Sequence, residues 1–164
     1  MRPLTESQIR RSFVNCSRGE AASATLPAGL ADVLWDDLEF LGWRDAKAPL
    51  RGYAVLWRED RPVGIALRAA DTTMSARTSA MCLLCQSTQS GAEVSLFTAR
   101  RAGEAGRNGN TVGQYVCADL ACSHRVRTDI PPWLRDRDPE EVVPERVAEL
   151  RRRLDTFLGH VLGP

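Results

Sequence analysis

The sequence predicts an α+β fold: a small antiparallel sheet with flanking N- and C-terminal helices. Three observations carry this expectation. Runs rich in β-branched and aromatic residues, each bounded by turn formers, fill the middle of the chain. A capped helical start opens it and a long apolar stripe at helical spacing closes it. At 164 residues with 43% hydrophobic content, the chain has the size and composition of one ordinary domain, able to bury a core without covalent staples.

The first helix is expected from about Glu6 to Val14, with Thr5 as cap, Gln8 completing a capping box and Leu4 stapled to Ile9. The polar stretch "NCSRGEAASATLPAG" reads as a connection, and "LADVLWDDLEFLGW" as a short helical or turn-like piece. Trp35, Phe40 and Trp43 read as core aromatics. Asp36 and Asp37 read as a solvated face, because no histidine or nucleophile lies nearby to make them a catalytic pair. "RGYAVLWRED" and "RPVGIALRAAD" form a hairpin turning through Glu59, Asp60, Arg61 and Pro62. "EVSLFTARR" is a third strand, "AGEAGRNGN" a connection with an Asn108-Gly109 turn signal, and "TVGQYVC" a fourth strand ending on a cysteine. After the proline-broken "DIPPWLRDRDPEEVVPE", a C-terminal helix is expected over about 144–162. There Val147, Leu150, Leu154, Phe157, Leu158 and Val161 form one apolar stripe, to be packed on the sheet.

Charge and composition exclude several classes. No apolar run approaches the roughly 20 residues needed to cross a bilayer, and the start "MRPLTESQIRRSF" lacks the apolar core of a signal peptide. A cytoplasmic location follows as the expectation, with reduced thiols. The net charge of +1 is uneven: residues 77–127 carry six basic and three acidic side chains, the only net positive part of the chain.

That segment also holds "CLLC" at 82–85 and "CADLAC" at 117–122, which place four of the five cysteines in two tight pairs. Cys82 and Cys85 fit a zinc knuckle, a turn whose two intervening residues let both sulfurs face one ion, and Cys117 and Cys122 supply the other pair. If Cys117 ends a strand and Asp119 caps the next helix, Cys122 falls in the first helical turn, where exposed amides favour a thiolate. Knuckle, hairpin, then a ligand on a helix is the order of a treble-clef finger, and the zinc-finger subdomain is placed at about 77–127 within a single domain of 1–164. A thioredoxin-like reading lacks a βαβ pattern and leaves the second pair unexplained. A zinc deaminase needs an upstream "HxE", whereas His124 and His160 lie downstream. A closed four-cysteine shell leaves no position for water, so one structural Zn2+ is expected, with no catalysis. Cys16 is surplus to the shell, and His124 reads as a surface group.

The segments "WREDRPVGIALR", "MCLLC" and "VSLFTARRAGEAGRNGNTVGQYVCADLACS" together resemble the treble-clef zinc-finger domain of the elongation factor G-binding proteins, the FusB-type family linked to fusidic acid resistance. The resemblance runs from about Arg51 to Arg127 and implies Cys82, Cys85, Cys117 and Cys122 as zinc ligands. It also implies a partner, since family members bind elongation factor G through this finger and promote its release from the ribosome. Resistance proteins of this kind carry a further N-terminal helical bundle. Here one clear helix precedes the sheet, so the chain reads as the zinc-finger domain almost alone.

From the residues themselves, Arg100, Arg101, Arg107, Arg125 and Arg127, with Tyr115 on a strand, are candidate partner contacts if they converge on one basic face. Such a face suits an acidic protein surface or RNA phosphates, so an RNA-binding treble clef is the alternative function. Neither a catalytic triad, a phosphate loop nor an open metal site can be assembled, so no enzyme, no small-molecule substrate and no membrane partner are expected.

Overall fold

The computed structural model describes residues 1–163. Thr5 caps α1 (Glu6–Ser12) and the Gln8 side chain returns the bond, giving the expected capping box, while Leu4 and Ile9 are both buried. The helix stops two residues earlier than expected. Phe13 turns extended and bridges Gly64, and the Val14 amide donates to the Gly64 carbonyl, so tertiary pairing takes over the last turn. A second capping box, Ser17 with Glu20, starts α2 (Arg18–Ser23) inside the stretch read as a connection.

Two single 3-10 turns, Leu30–Asp32 and Trp35–Asp37, lead into β1 (Leu41–Arg44), a strand hidden in the piece read as helical or turn-like. Phe40 and Trp43 are buried, Trp35 is half-buried, and Asp36 and Asp37 face solvent. The hairpin is β2 (Arg51–Arg58) and β3 (Arg61–Ala69), with Arg61 and Pro62 already paired to Arg58 and Trp57, so that the turn itself is Glu59-Asp60. β4 (Ser79–Met81) and β5 (Thr88–Ser90) make a separate two-stranded ribbon around the "CLLC" loop. β6 (Val94–Arg100), α3 (Gly103–Arg107), β7 (Thr111–Cys117) and α4 (Cys122–Thr128) follow.

The main sheet is antiparallel throughout in the order β1-β2-β3-β6-β7. The last helix, α5 (Pro139–Leu162), begins five residues before the expected start. Asp138 caps it and Pro139 sits in its first turn, where a missing N–H costs nothing, so the run "DPEEV" starts a helix that Pro144 does not break.

Strand alternation divides the core in two. On one face Ala54, Leu56, Ile65, Leu67, Phe97, Ala99 and Val116 pack with Val147, Leu150, Leu154, Phe157, Leu158 and Val161 of α5 and with the four paired cysteines. On the other, Leu41, Trp43, Tyr53 and Val55 pack under Leu4, Ile9 and Ala24. Glu39, with no side-chain exposure, ties the approach to β1 to the helices: Arg127 Nη1 and Nη2 donate to it at 2.8 and 2.9 Å, and Arg151 lies at 3.5 Å. Asp45 organises the β1–β2 connection by accepting from the amides of Thr25, Lys47 and Ala48 and from the Tyr53 hydroxyl. No described helix is long and apolar enough to cross a membrane.

Candidate metal centre

β4 and β5 bring Cys82 and Cys85 to the tip of their ribbon, β7 delivers Cys117 at its last residue, and Cys122 is the first residue of α4. The four cysteines come together as their spacing suggests, but the cap of α4 differs from the expected one. Ala121 occupies the cap position, and Asp119 works two residues earlier, its Oδ1 accepting from the Ala121 amide at 3.0 Å. The register Val94↔Cys117 fixes the end of β7 against the sheet.

All four sulfurs are buried and lie within 4.8 Å of one another. Cys82 to Cys122 measures 3.6 Å and Cys85 to Cys117 3.5 Å. A tetrahedron with Zn–S bonds of about 2.3 Å needs sulfurs about 3.8 Å apart, so the set fits one zinc ion. Four buried thiols this close cannot all ionise by themselves. Hydrogen bonding from Cys117 and then Cys122 pulls Cys82 and Cys85 below the ordinary thiol value, while the bond to Cys117 drives Cys122 above it. A divalent cation removes that conflict, and four thiolates close its shell.

The protein supports the sulfurs from outside. The Cys85 amide points at Cys82 Sγ (3.5 Å), and Ser87 Oγ lies 3.1 Å from Cys85 Sγ. Gln89 Nε2 donates to Ser87 Oγ (2.6 Å) and to Cys117 Sγ (3.3 Å). Two of the three non-glycine residues with positive φ among the described residues, Gln86 (58°) and Leu120 (60°), lie at the two cysteine loops, where tight curvature is needed. Leu120 is then pressed onto the sheet over Gly42 and Gly52. A Cβ on Gly42 would stand 2.5 Å from the Leu120 carbonyl oxygen, and one on Gly52 would stand 2.9 Å from Leu120 Cδ1. Only glycine permits this approach.

The buried guanidinium of Arg146, which no spacing rule singled out, donates to the Cys85 carbonyl (3.3 Å) and to that of Val126 (2.6 Å). Burial lowers its pKa and the nearby Cys85 raises it in part. A positive charge placed here offsets the formal negative charge of a four-thiolate zinc. A signal existed in the sequence: position 146 falls on the buried face of α5, between Val142 and Leu150, where an apolar residue is expected.

The five candidate arginines do not form one face. Val94↔Cys117 and Arg100↔Thr111 mark opposite ends of the β6–β7 pair, about 20 Å apart along the strands. Arg125 and Arg127 lie at the metal end, engaged with Asp119, Asp129 and Glu39. Arg100, Arg101 and Arg107 border a hollow at the other end with Cys16 and Glu20. Arg100 is paired with Glu20 and Arg101 donates to the His160 carbonyl. Tyr115 is 43% exposed on β7, and its carbonyl accepts from the Leu83 amide at 2.9 Å. Leu83 (42%) and Met81 (43%), which sequence reasoning passed over, are exposed on the knuckle and the strand before it. His124 is exposed and Cys16 is half-buried, away from the metal cluster.

The model of the FBP C-terminal treble-clef zinc-finger family matches residues 8–161. No curated protein matches the chain. Among solved structures, that of the fusidic acid resistance protein FusC is similar, with a TM-score of 0.55 and 18% sequence identity over 77% of this chain and 54% of that one. The chain thus spans about half the length of FusC, and at this identity the likeness is one of fold.

Proposed function

The chain belongs to the FBP C-terminal treble-clef zinc-finger family, and from that membership we propose that it is a non-catalytic binding protein of the translation apparatus, docking on elongation factor G in the cytoplasm and modulating its release from the ribosome. The observation that carries the docking is three large apolar side chains beside the cysteine cluster, each over 40% exposed: Met81 at the end of β4, Leu83 in the knuckle and Tyr115 on β7, with the Leu83 amide bonded to the Tyr115 carbonyl. Leu83 and Leu84 show the design: successive residues point oppositely, Leu84 into the core at 3% exposure and Leu83 outward. Large apolar side chains gathered on one surface mark protein contact sites more often than solvent-facing accidents. The ion pairs around Arg125 and Arg127 leave the metal end with little free positive charge, which favours a protein over RNA phosphates. The fusidic acid resistance of FusC supports the same cellular setting for this chain, reached through fold likeness.

The test is retention of purified elongation factor G by the zinc-loaded chain at low and moderate salt, beside Leu83→Asp and Tyr115→Ala, with Cys82→Ser/Cys117→Ser as the metal-free control. Retention at both salts, lost in the two surface variants while their zinc stays bound, supports the reading. A folded, zinc-loaded wild type that retains nothing sinks it. Retention of ribosomal RNA with a steep loss on adding salt would put the RNA reading in its place.

A further inference from the structure

β3 and β6 are in register at Arg68↔Thr98 and Ala69↔Phe97, with the Ala70 amide donating to the Leu96 carbonyl beyond them, and they part on the side of Ala66 and Arg100. Asn15 fills the fork: its Nδ2 donates to the carbonyls of Ala66 and Arg100, both at 2.9 Å, and its Oδ1 accepts from the Ala66 amide at 2.8 Å. The chain after Asn15 then runs along one side as Cys16, Ser17 and Glu20. The result is a hollow of about 350 Å³ on the sheet face away from α5, bounded by Cys16, Glu20, Arg51, Arg68, Thr98 and Arg100.

Its charges are arranged against folding stability. Arg51 and Arg68 stand directly opposite each other across β2 and β3, so their side chains share one face. Like charges in that position repel. Arg100 lies two residues beyond Thr98, the cross-strand partner of Arg68, and so points to the same face. Among the described residues, neither Arg51 nor Arg68 has an acidic partner; the one carboxylate on the rim, Glu20, is taken by Arg100. Three guanidiniums against one carboxylate leave a surplus of two positive charges in a hollow of small-ligand size. A phosphate monoester carries about −1.5 to −2 at neutral pH and accepts forked guanidinium bonds, matching that surplus. Thr111 adds a neutral hydroxyl donor on the rim, while the Thr98 hydroxyl donates to the Arg68 carbonyl at 3.3 Å.

We propose that this hollow binds the phosphate monoester group of a small molecule through Arg51, Arg68 and Arg100. It is a ligand site, not a substrate site, and it lies at the opposite end of β6 from the knuckle, so it stands whether or not the elongation factor reading does.

The experiment titrates the zinc-loaded full chain with inorganic phosphate, methyl phosphate and dimethyl phosphate at constant ionic strength. Binding is followed by amide NMR shifts and by the alkylation rate of Cys16, located by mass spectrometry. Inorganic phosphate and methyl phosphate should saturate shifts at Arg68, Thr98 and Arg100 and should protect Cys16. The diester monoanion should bind roughly tenfold more weakly, as should either probe to Arg51→Gln or Arg68→Gln. Both variants should keep their zinc and melt no lower than the wild type, because each removes a like-charge repulsion. Absence of saturation, or equal binding of monoester and diester, or unaltered binding in both variants, would overturn the proposal.

Discussion

Replacing Arg146 by methionine isolates what a buried positive charge does beside the metal. Methionine keeps most of the stem's bulk, so the change is chiefly the loss of the guanidinium and its bonds to the Val126 (2.6 Å) and Cys85 (3.3 Å) carbonyls. Val126 lies in the last turn of α4, where carbonyls lack helical partners. The short charge-assisted bond and the longer one together stabilise by about 3 kcal/mol, and removing the desolvation cost that lowers the Arg146 pKa returns part of it, leaving a loss of about 2 kcal/mol. The metal should feel the change separately. Outer groups that orient ligands and balance charge are worth about 10- to 100-fold in affinity. Urea unfolding of the zinc-loaded chain reads the first quantity and competition with a chromogenic chelator the second. Arg146→Lys, which keeps the charge without the fork, should recover more zinc affinity than stability. If Arg146→Met lowers the urea midpoint while zinc affinity stays within about twofold, the arginine only caps α4 and its electrostatic role is refuted.

Gly42→Ala should destabilise by about 1–3 kcal/mol and speed zinc release, because the new methyl meets the backbone of the Cys117–Cys122 loop; a normal melt with normal release would refute that contact. Asp45 is held down to about 2: burial alone would raise it, and the bonds from Thr25, Lys47 and Tyr53 outweigh burial. A carboxylate depressed from 3.8 to about 2 contributes about 2 kcal/mol, present above about pH 4 and lost as pH falls through 2. The stability gap between wild type and Asp45→Asn should therefore close over that window. Acid release of zinc affects both proteins and drops out of the difference. Glu39→Gln should cost about 3 kcal/mol in urea unfolding by removing the buried negative charge and one of the two acceptors that Arg127 uses, and a change near zero would mean that solvent already screens the pair.

The parts legible in the sequence are those with a short physical period. Capping at Thr5, the β2–β3 hairpin, the α5 stripe and the cysteine spacing are all local patterns, and all appear where expected. What was missed depends on tertiary contact. β1 is four residues long, too short to show alternation, and exists because Leu41–Arg44 find Gly52–Val55. The early end of α1 is set by Gly64, fifty residues away in the chain. The α2 start was readable as Ser17-x-x-Glu20 and was obscured by the glycine and serines around it. Convergence of the arginines could not be judged from composition, because register alone decides that Arg100 and Arg125 lie at opposite ends of β6–β7. The exposed Leu83 is likewise invisible until the knuckle's geometry assigns one leucine inward and the other outward.

The two cores also set how far the metal's influence reaches. The zinc cysteines belong to the cluster beneath α5, together with Leu84, Leu120 and Val126, side chains that form a core only if the ligand loops are closed. The second cluster, Leu4, Ile9, Trp43, Tyr53 and Val55, touches none of the ligands and is held by the long β2–β3 pairing. Chelating the zinc should therefore loosen β4, β5, α4 and the Cys117 end of β7 well before β2 and β3. Amide hydrogen exchange measures this directly: protection at residues 82–87 and 117–128 should fall on chelation, while that at Tyr53–Leu56 and Val63–Leu67 persists. Simultaneous loss at all these positions would show that the finger and the sheet unfold as one unit. The knuckle's apolar surface would then depend on the metal no more than the sheet does, contrary to the division of the core described above.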